Sequence, residues 1–184
     1  TAYLFNSFFT LLPAGQEVWA YSRLRRDSNA WGYNELEQYL NELMAGSYPQ
    51  QSLPAQFVFA RRLQEEARIQ AIASGSEPKA VLFISDSSMY ATASLWYIQR
   101  RALYDGWPIV TDVAYLEATR QNPNFYREQG FAEFYFLKTA DTLLAGHTET
   151  SVSRTLEHRL VQDGREPVYL PSPTGHPAFK IYKF

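Results

Sequence analysis

The chain has 184 residues, 46% of them hydrophobic and 20% charged, with a formal net charge of −2. That composition belongs to a single folded globular domain and excludes a disordered chain. The lack of a basic excess argues against nucleic acid as a partner, and the absence of cysteine excludes disulfides, thiolate nucleophiles and cysteine-based zinc sites.

Aromatic residues make up 16% of the chain. Such a share fits a tyrosine-rich core and surface, or a protein that stacks on sugar rings or works beside a membrane interface. The chain begins at Thr1 rather than Met, as expected of a segment processed or cut from something longer. Thr1 to Leu12 is apolar and aromatic without a charge, yet shorter than the ~20 residues a membrane span needs. It also lacks the basic start and small-residue cleavage site of a signal peptide. Pro13-Ala14-Gly15 breaks this segment, and Glu17 to Arg26 places Trp19 and Tyr21 among Arg23, Arg25 and Arg26. Residues 1–26 are therefore set apart as a juxtamembrane-like or packing segment, and 27–184 as one α/β domain.

Within that domain Asp27-Ser28-Asn29 is a turn. Tyr33, Leu36, Tyr39, Leu40 and Leu43 recur at spacings of three and four, which predicts a helix stopped at Gly46. Tyr48 to Pro54 reads as a loop. A second helix is predicted over Ala55 to Ala73, burying Phe59, Leu63, Ala67 and Ile69 to Ile72. Ala80 to Ser85 is a continuous apolar run, the mark of a strand buried on both faces. Asp86-Ser87-Ser88 follows as a cap, leading into a helix from Met89 to Arg101. That helix is expected to bury Ala93, Trp96, Tyr97 and Leu103 or Tyr104, and to expose Gln99, Arg100 and Arg101. Trp107 to Thr111 is the next strand, with Val113 to Thr119 and Phe125 to Gln129 helical. Phe131 to Lys138 is a third strand, Thr148 to Asp163 a helix, Glu166 to Leu170 a fourth strand and Ala178 to Phe184 the last.

Strands alternating with helices of this length predict a three-layer, mostly parallel, Rossmann-like sheet with helices on both faces. The final two strands are too closely joined for a crossover, so an antiparallel edge hairpin closes the sheet. The strand at Ala80 to Ser85 is expected at the centre.

Asp86, Asp112 and Asp141 each stand just beyond the carboxyl end of a predicted strand, where open α/β sheets take ligands. Together with Ser87 and Ser88 they form the candidate ligand-binding set. The competing reading is that aspartate and serine are ordinary caps at strand-to-helix junctions. Asp86-x-Ser88 half-matches the Asp-x-Ser-x-Ser cation pattern of von Willebrand A-type domains, but Tyr90 occupies the place of the second serine. Ser87 or Ser88 with Asp141 and His147, His158 or His176 has a hydrolase chain order without a G-x-S-x-G elbow. Neither a dinucleotide G-x-G-x-x-G nor a P-loop occurs. No catalytic residue, metal ligand or cofactor is assigned.

Several stretches carry a resemblance. Arg25-Arg26 and Trp31-Gly32-Tyr33-Asn34-Glu35-Leu36 lead into the first helix; Val81 to Asp86 precedes Leu95-Trp96-Tyr97-Ile98; Gly106-Trp107-Pro108 opens a strand; and the chain closes on Phe179-Lys180-Ile181-Tyr182-Lys183-Phe184. This arrangement resembles the soluble extracytoplasmic domain that follows the membrane helices of polytopic glycosyltransferases using polyprenyl- or dolichyl-phosphate sugars, the mannosyltransferase-like enzymes. The predicted Ala55–Ala73 helix departs from the shortest versions of such domains. The resemblance implies a non-catalytic domain on the extracytoplasmic face, part of a larger membrane protein. Its partners would be its own transmembrane region and a lipid-linked sugar or glycan acceptor. The family's catalytic acids lie between early membrane helices, so none is carried over. The alternatives are a free-standing α/β enzyme or cation- or small-ligand-binding protein using the edge around Asp86, and a protein interaction module.

Overall fold

The computed structural model describes residues 32–54, 57–89, 94–140, 150–172 and 175–184. The expectations for Thr1 to Arg26, for Tyr90 and Ala93, and for Asp141 and His147 lie outside the described residues, as does the Trp96 side chain.

The fold is mixed α/β. Its main sheet has five strands among the described residues: β3 (Val81–Ser85), β4 (Ile109–Thr111), β5 (Glu133–Thr139), β6 (Pro167–Pro171) and β7 (Pro177–Lys183). Their order is β4-β3-β5-β7-β6. β3 pairs in parallel with β4 and β5, whereas β7 is antiparallel to both β5 and β6. The sheet is thus mixed rather than mostly parallel. β3 is not its centre either; β5 is, with six of its seven residues buried. The reason is length and apolarity: β5 can pair over five residues on each side, with Val81–Ser85 and with Phe179–Lys183. The closing hairpin is present, but its last strand lies inside and β6 forms the edge. Pro167 and Pro171 at the ends of β6 lack backbone donors and blunt that edge.

Alternate residues of a strand face opposite sides, and the core divides accordingly. Val81 and Phe83 pack with Leu36 and Leu40 of α1 (Tyr33–Leu43) and with Ile98. Leu82 and Ile84 pack with Tyr126 of α5 (Phe125–Glu128) and with Leu156 and Leu160 of α6 (Ser151–Gln162). The α1 face follows its sequence spacing. Its entry requires Gly32, which has φ +74° and sits where a Cβ would collide with Ala178 of β7.

Three expectations are corrected. The start of the stretch read as a loop, Tyr48 and Pro49, belongs to β1 (Ser47–Pro49), paired in parallel with β2 (Glu77–Lys79). Both strands carry a proline, which hid them. Helix α2 (Val58–Ala73) buries only Ala60; Leu63 and Ala67 are half-buried, while Phe59, Ile69 and Ile72 are exposed. It turns its short side chains inward and is tied down by Gln64, whose Nε2 donates to the Ala102 carbonyl at 2.7 Å. Past Asp86, Leu95–Gln99 forms a π-helical turn before α3 (Arg100–Tyr104). Closing each bond one residue later rotates the inward face: Ile98 becomes fully buried, Tyr97 is half-buried and Tyr104 is exposed. Arg100 and Arg101 are not free surface residues, since both pair with Glu37 of α1.

Candidate functional site

The chain leaves β3 for β4 on one side and then crosses to β5 on the other. The carboxyl ends of β3 and β5 therefore flank the point where strand order reverses, a position at which open α/β sheets take ligands. Asp86 lies there and is almost fully buried. Its Oδ1 accepts from the Ser88 backbone N–H at 2.8 Å and the Ser88 hydroxyl at 2.7 Å. Its Oδ2 accepts from the Thr139 N–H at 3.1 Å and the Thr139 hydroxyl at 2.7 Å. Four donors saturate this carboxylate, so Asp86 and Ser88 tie the β3 turn to the end of β5. The cap reading describes them better than the ligand reading.

Asp112 is different. It opens α4 (Asp112–Gln121), whose cap is the Thr111 hydroxyl accepting from the Ala114 N–H at 3.2 Å. Asp112 is fully buried, and its Oδ1 accepts from the N–H groups of Ser87 at 3.1 Å and Val113 at 2.8 Å. Its Oδ2 is buried and has no hydrogen-bond partner among the described residues. Beside it Ser87 is exposed, with its hydroxyl 3.2 Å from the hydroxyl of Thr150, the cap of α6. Asp86, Ser87, Ser88 and Asp112 are thus brought together; Asp141 lies outside the described residues. Thr139 and Thr150 belong to the cluster too. Neither was assigned to the site from sequence, because a threonine at a strand end or a helix cap carries no signal of its own.

Burial raises the Asp112 pKa above the ordinary aspartate value of 3.8, and the nearby negative charge of Asp86 adds to this; hydrogen bonds from Ser87 and Val113 work against it. For a carboxyl whose folded pKa is raised, the folded state binds the proton more tightly than the unfolded state. The associated stability is present at low pH and is lost as pH rises through the folded value. Asp112→Asn removes this titration. The stability of the variant relative to the parent is expected to rise with pH above about 3.8, checked by urea denaturation across the acid range.

The hydroxyls of Ser87 and Ser88 bond to Thr150, Asp86 and Thr139, and His158 and His176 are exposed on other elements, so no described histidine serves either serine. Among the described residues no group of three or more His, Asp or Glu side chains could hold a metal ion. Among the described residues no helix is long and apolar enough to cross a membrane.

No protein-family model, curated protein or solved structure matches the chain.

Proposed function

We propose that this chain is the soluble, non-catalytic, extracytoplasmic domain of a membrane glycosyltransferase-like protein, built as a three-layer Rossmann-like unit. Its part would be to help hold a lipid-linked sugar donor or a glycan acceptor at the carboxyl edge of β3 and β4. The single observation that carries a ligand role there is Asp112 Oδ2, a buried carboxylate oxygen with no hydrogen-bond partner among the described residues, beside the exposed hydroxyl-bearing Ser87. Orphaned buried polar atoms are rare and call for an explanation; a ligand hydroxyl donating to Oδ2 supplies one. The resemblance in order and motifs supports the membrane-enzyme context, with two helical packing partners of the sheet, α1 and α6, on its opposite sides.

The test is titration of the purified chain with a short-chain polyprenyl-phosphate mannose in detergent, followed by amide NMR. Saturable shifts at Ser87, Asp112 and Thr150, weakened at least tenfold by Asp112→Ala, are the expected result. No saturable shift there with either this donor or a hydroxyl-bearing acceptor peptide sinks the reading. The coding sequence upstream of Thr1 provides a second check: several apolar segments of spanning length support the membrane context, and a start codon immediately before Thr1 refutes it.

The orphaned Asp112 oxygen also favours a second reading, a cation-binding protein using the same edge. Thermal shifts with magnesium, calcium or manganese test it, and absence of stabilisation at millimolar metal rejects it.

A further inference from the structure

A wide groove lies elsewhere. It encloses about 850 Å³ between β1 with the turn that follows it, one flank of α2, and the junction of α3 with β4 at Gly106 and Trp107. These are the amino ends of β3 and β4, opposite the Asp112 edge. The groove exists because of what α2 places inward. Gln64, Ala67 and Ala71 line it, and the larger apolar side chains of that helix, Phe59, Ile69 and Ile72, point away. Side chains this short leave the space between the helix and the body of the domain unfilled.

The wall chemistry narrows the occupant. A purely apolar ligand would leave unmet the amides, hydroxyls and charges that make up roughly half of the lining. An anion would find most of the arginine charge already spent. Arg101 is bonded to Asp105 at 2.9 Å and to Glu37 at 3.1 Å, and Arg68 lies 3.6 Å from Glu65. Glu65 and Asp105 themselves face the groove and repel anions. An extended peptide would have to add to β1, a strand of three residues that ends in Pro49 and so lacks an N–H there. What remains on offer are groups that both donate and accept: the Gln50 and Gln70 amides and the hydroxyls of Ser47, Ser52 and Tyr48. The half-buried Tyr48 ring adds an apolar face with a polar tip, and Arg61 adds a guanidinium with no carboxylate partner among the described residues.

We propose that this groove binds a short, neutral oligosaccharide, whose hydroxyls donate and accept in turn and whose ring faces stack on Tyr48. The volume falls within the roughly 300–1,000 Å³ of small-molecule sites. The inference is independent of the reading given to the Asp112 edge, and the two are separated by where the signals fall.

The experiment is amide NMR of the isotope-labelled 184-residue chain titrated with maltotriose, mannotriose and cellotriose, each at millimolar concentrations. At least one trisaccharide is expected to shift Tyr48, Gln50 and Gly106 saturably. The exposed-site double variant Gln50→Ala/Arg61→Ala is expected to weaken binding at least fivefold while keeping the parent spectrum elsewhere. Absence of saturable shifts with all three sugars overturns the proposal. So do shifts confined to Ser87 and Asp112, an unchanged affinity in the double variant, or tighter binding of inorganic phosphate or trialanine in the same groove.

Discussion

Glu157→Ala is expected to destabilise the chain by about 3–5 kcal/mol, the range found when one partner of a buried ion pair is removed. Lys138 lies on β5 with its side chain 1% exposed, and its Nζ is 3.0 Å from Glu157 Oε2 on α6. The other carboxylate oxygen, Oε1, accepts from Lys180 Nζ at 3.0 Å and from the Tyr182 hydroxyl at 2.7 Å, both on β7. One carboxylate therefore fastens α6 to two neighbouring strands. Burial by itself would raise the Glu157 pKa, but the hydrogen bonds from Tyr182, Lys180 and Lys138 and the Lys138 charge together outweigh it, and the net shift is downward. A carboxyl with a depressed folded pKa contributes stability that is present above its unfolded value and lost as pH falls through the folded one. The cost of Glu157→Ala should accordingly be full at neutral pH and shrink below about pH 4.5. Urea denaturation across pH measures it. Adding Lys138→Met to the variant should recover part of the loss, because an apolar side chain of similar length has no charge to keep in the core. A loss under about 1 kcal/mol at neutral pH would show that the carboxylate is not the fastening.

Phe83→Ala should cost about 3–5 kcal/mol, the range for truncating a buried phenylalanine. Phe83 is fully buried in β3. Its ring stacks on Trp107 with centroids 5.1 Å apart and lies 5.8 Å from the Tyr135 ring. Truncation removes two aromatic contacts and opens a cavity between rigid strands, where the surroundings can collapse least. For a domain of this size the melting temperature should fall by roughly 6–20 °C, read by calorimetry. Phe59→Ala provides the contrast. Among the described residues its ring stacks on Phe57 alone, at 5.7 Å, and both are exposed, so its effect should stay within about 0.5 kcal/mol. Equal losses at the two positions would mean that α2 packs differently from the arrangement described above.

That contrast marks the boundary of what periodicity reveals. Phe59 and Ile69 sit in a helical pattern that fits burial as well as Leu36 and Leu40 do. Only the fold decides which stripe of α2 turns inward, and it chose the one with alanines. A helical stripe reports that a face exists, not which neighbour is available to cover it. The same limit applied at the site. Aspartates beyond strand ends were legible as a group, but their roles depend on donors supplied from distant segments. Thr139 completes the Asp86 shell from 53 residues away, whereas no described group hydrogen-bonds Asp112 Oδ2.

By itself the sequence determined the helices and strands with strong local signals. The α1 face, the doubly buried strand at Val81 to Ser85, the capped helix after Thr150 and the closing hairpin all follow from spacing, capping and turn chemistry over a few residues. Tertiary structure alone decided that β5 and not β3 lies at the centre, and that β7 runs inside β6. It decided that Glu157 meets Lys138 from another element, and that the short inward side chains of α2 leave a groove. These features depend on pairings between segments far apart in the chain, for which single-sequence periodicity carries no term. The Ala80–Ser85 strand and its Asp-Ser-Ser turn keep their place in the fold. Asp86 in that turn is saturated within the fold, whereas Asp112, which meets it from the end of β4, is not.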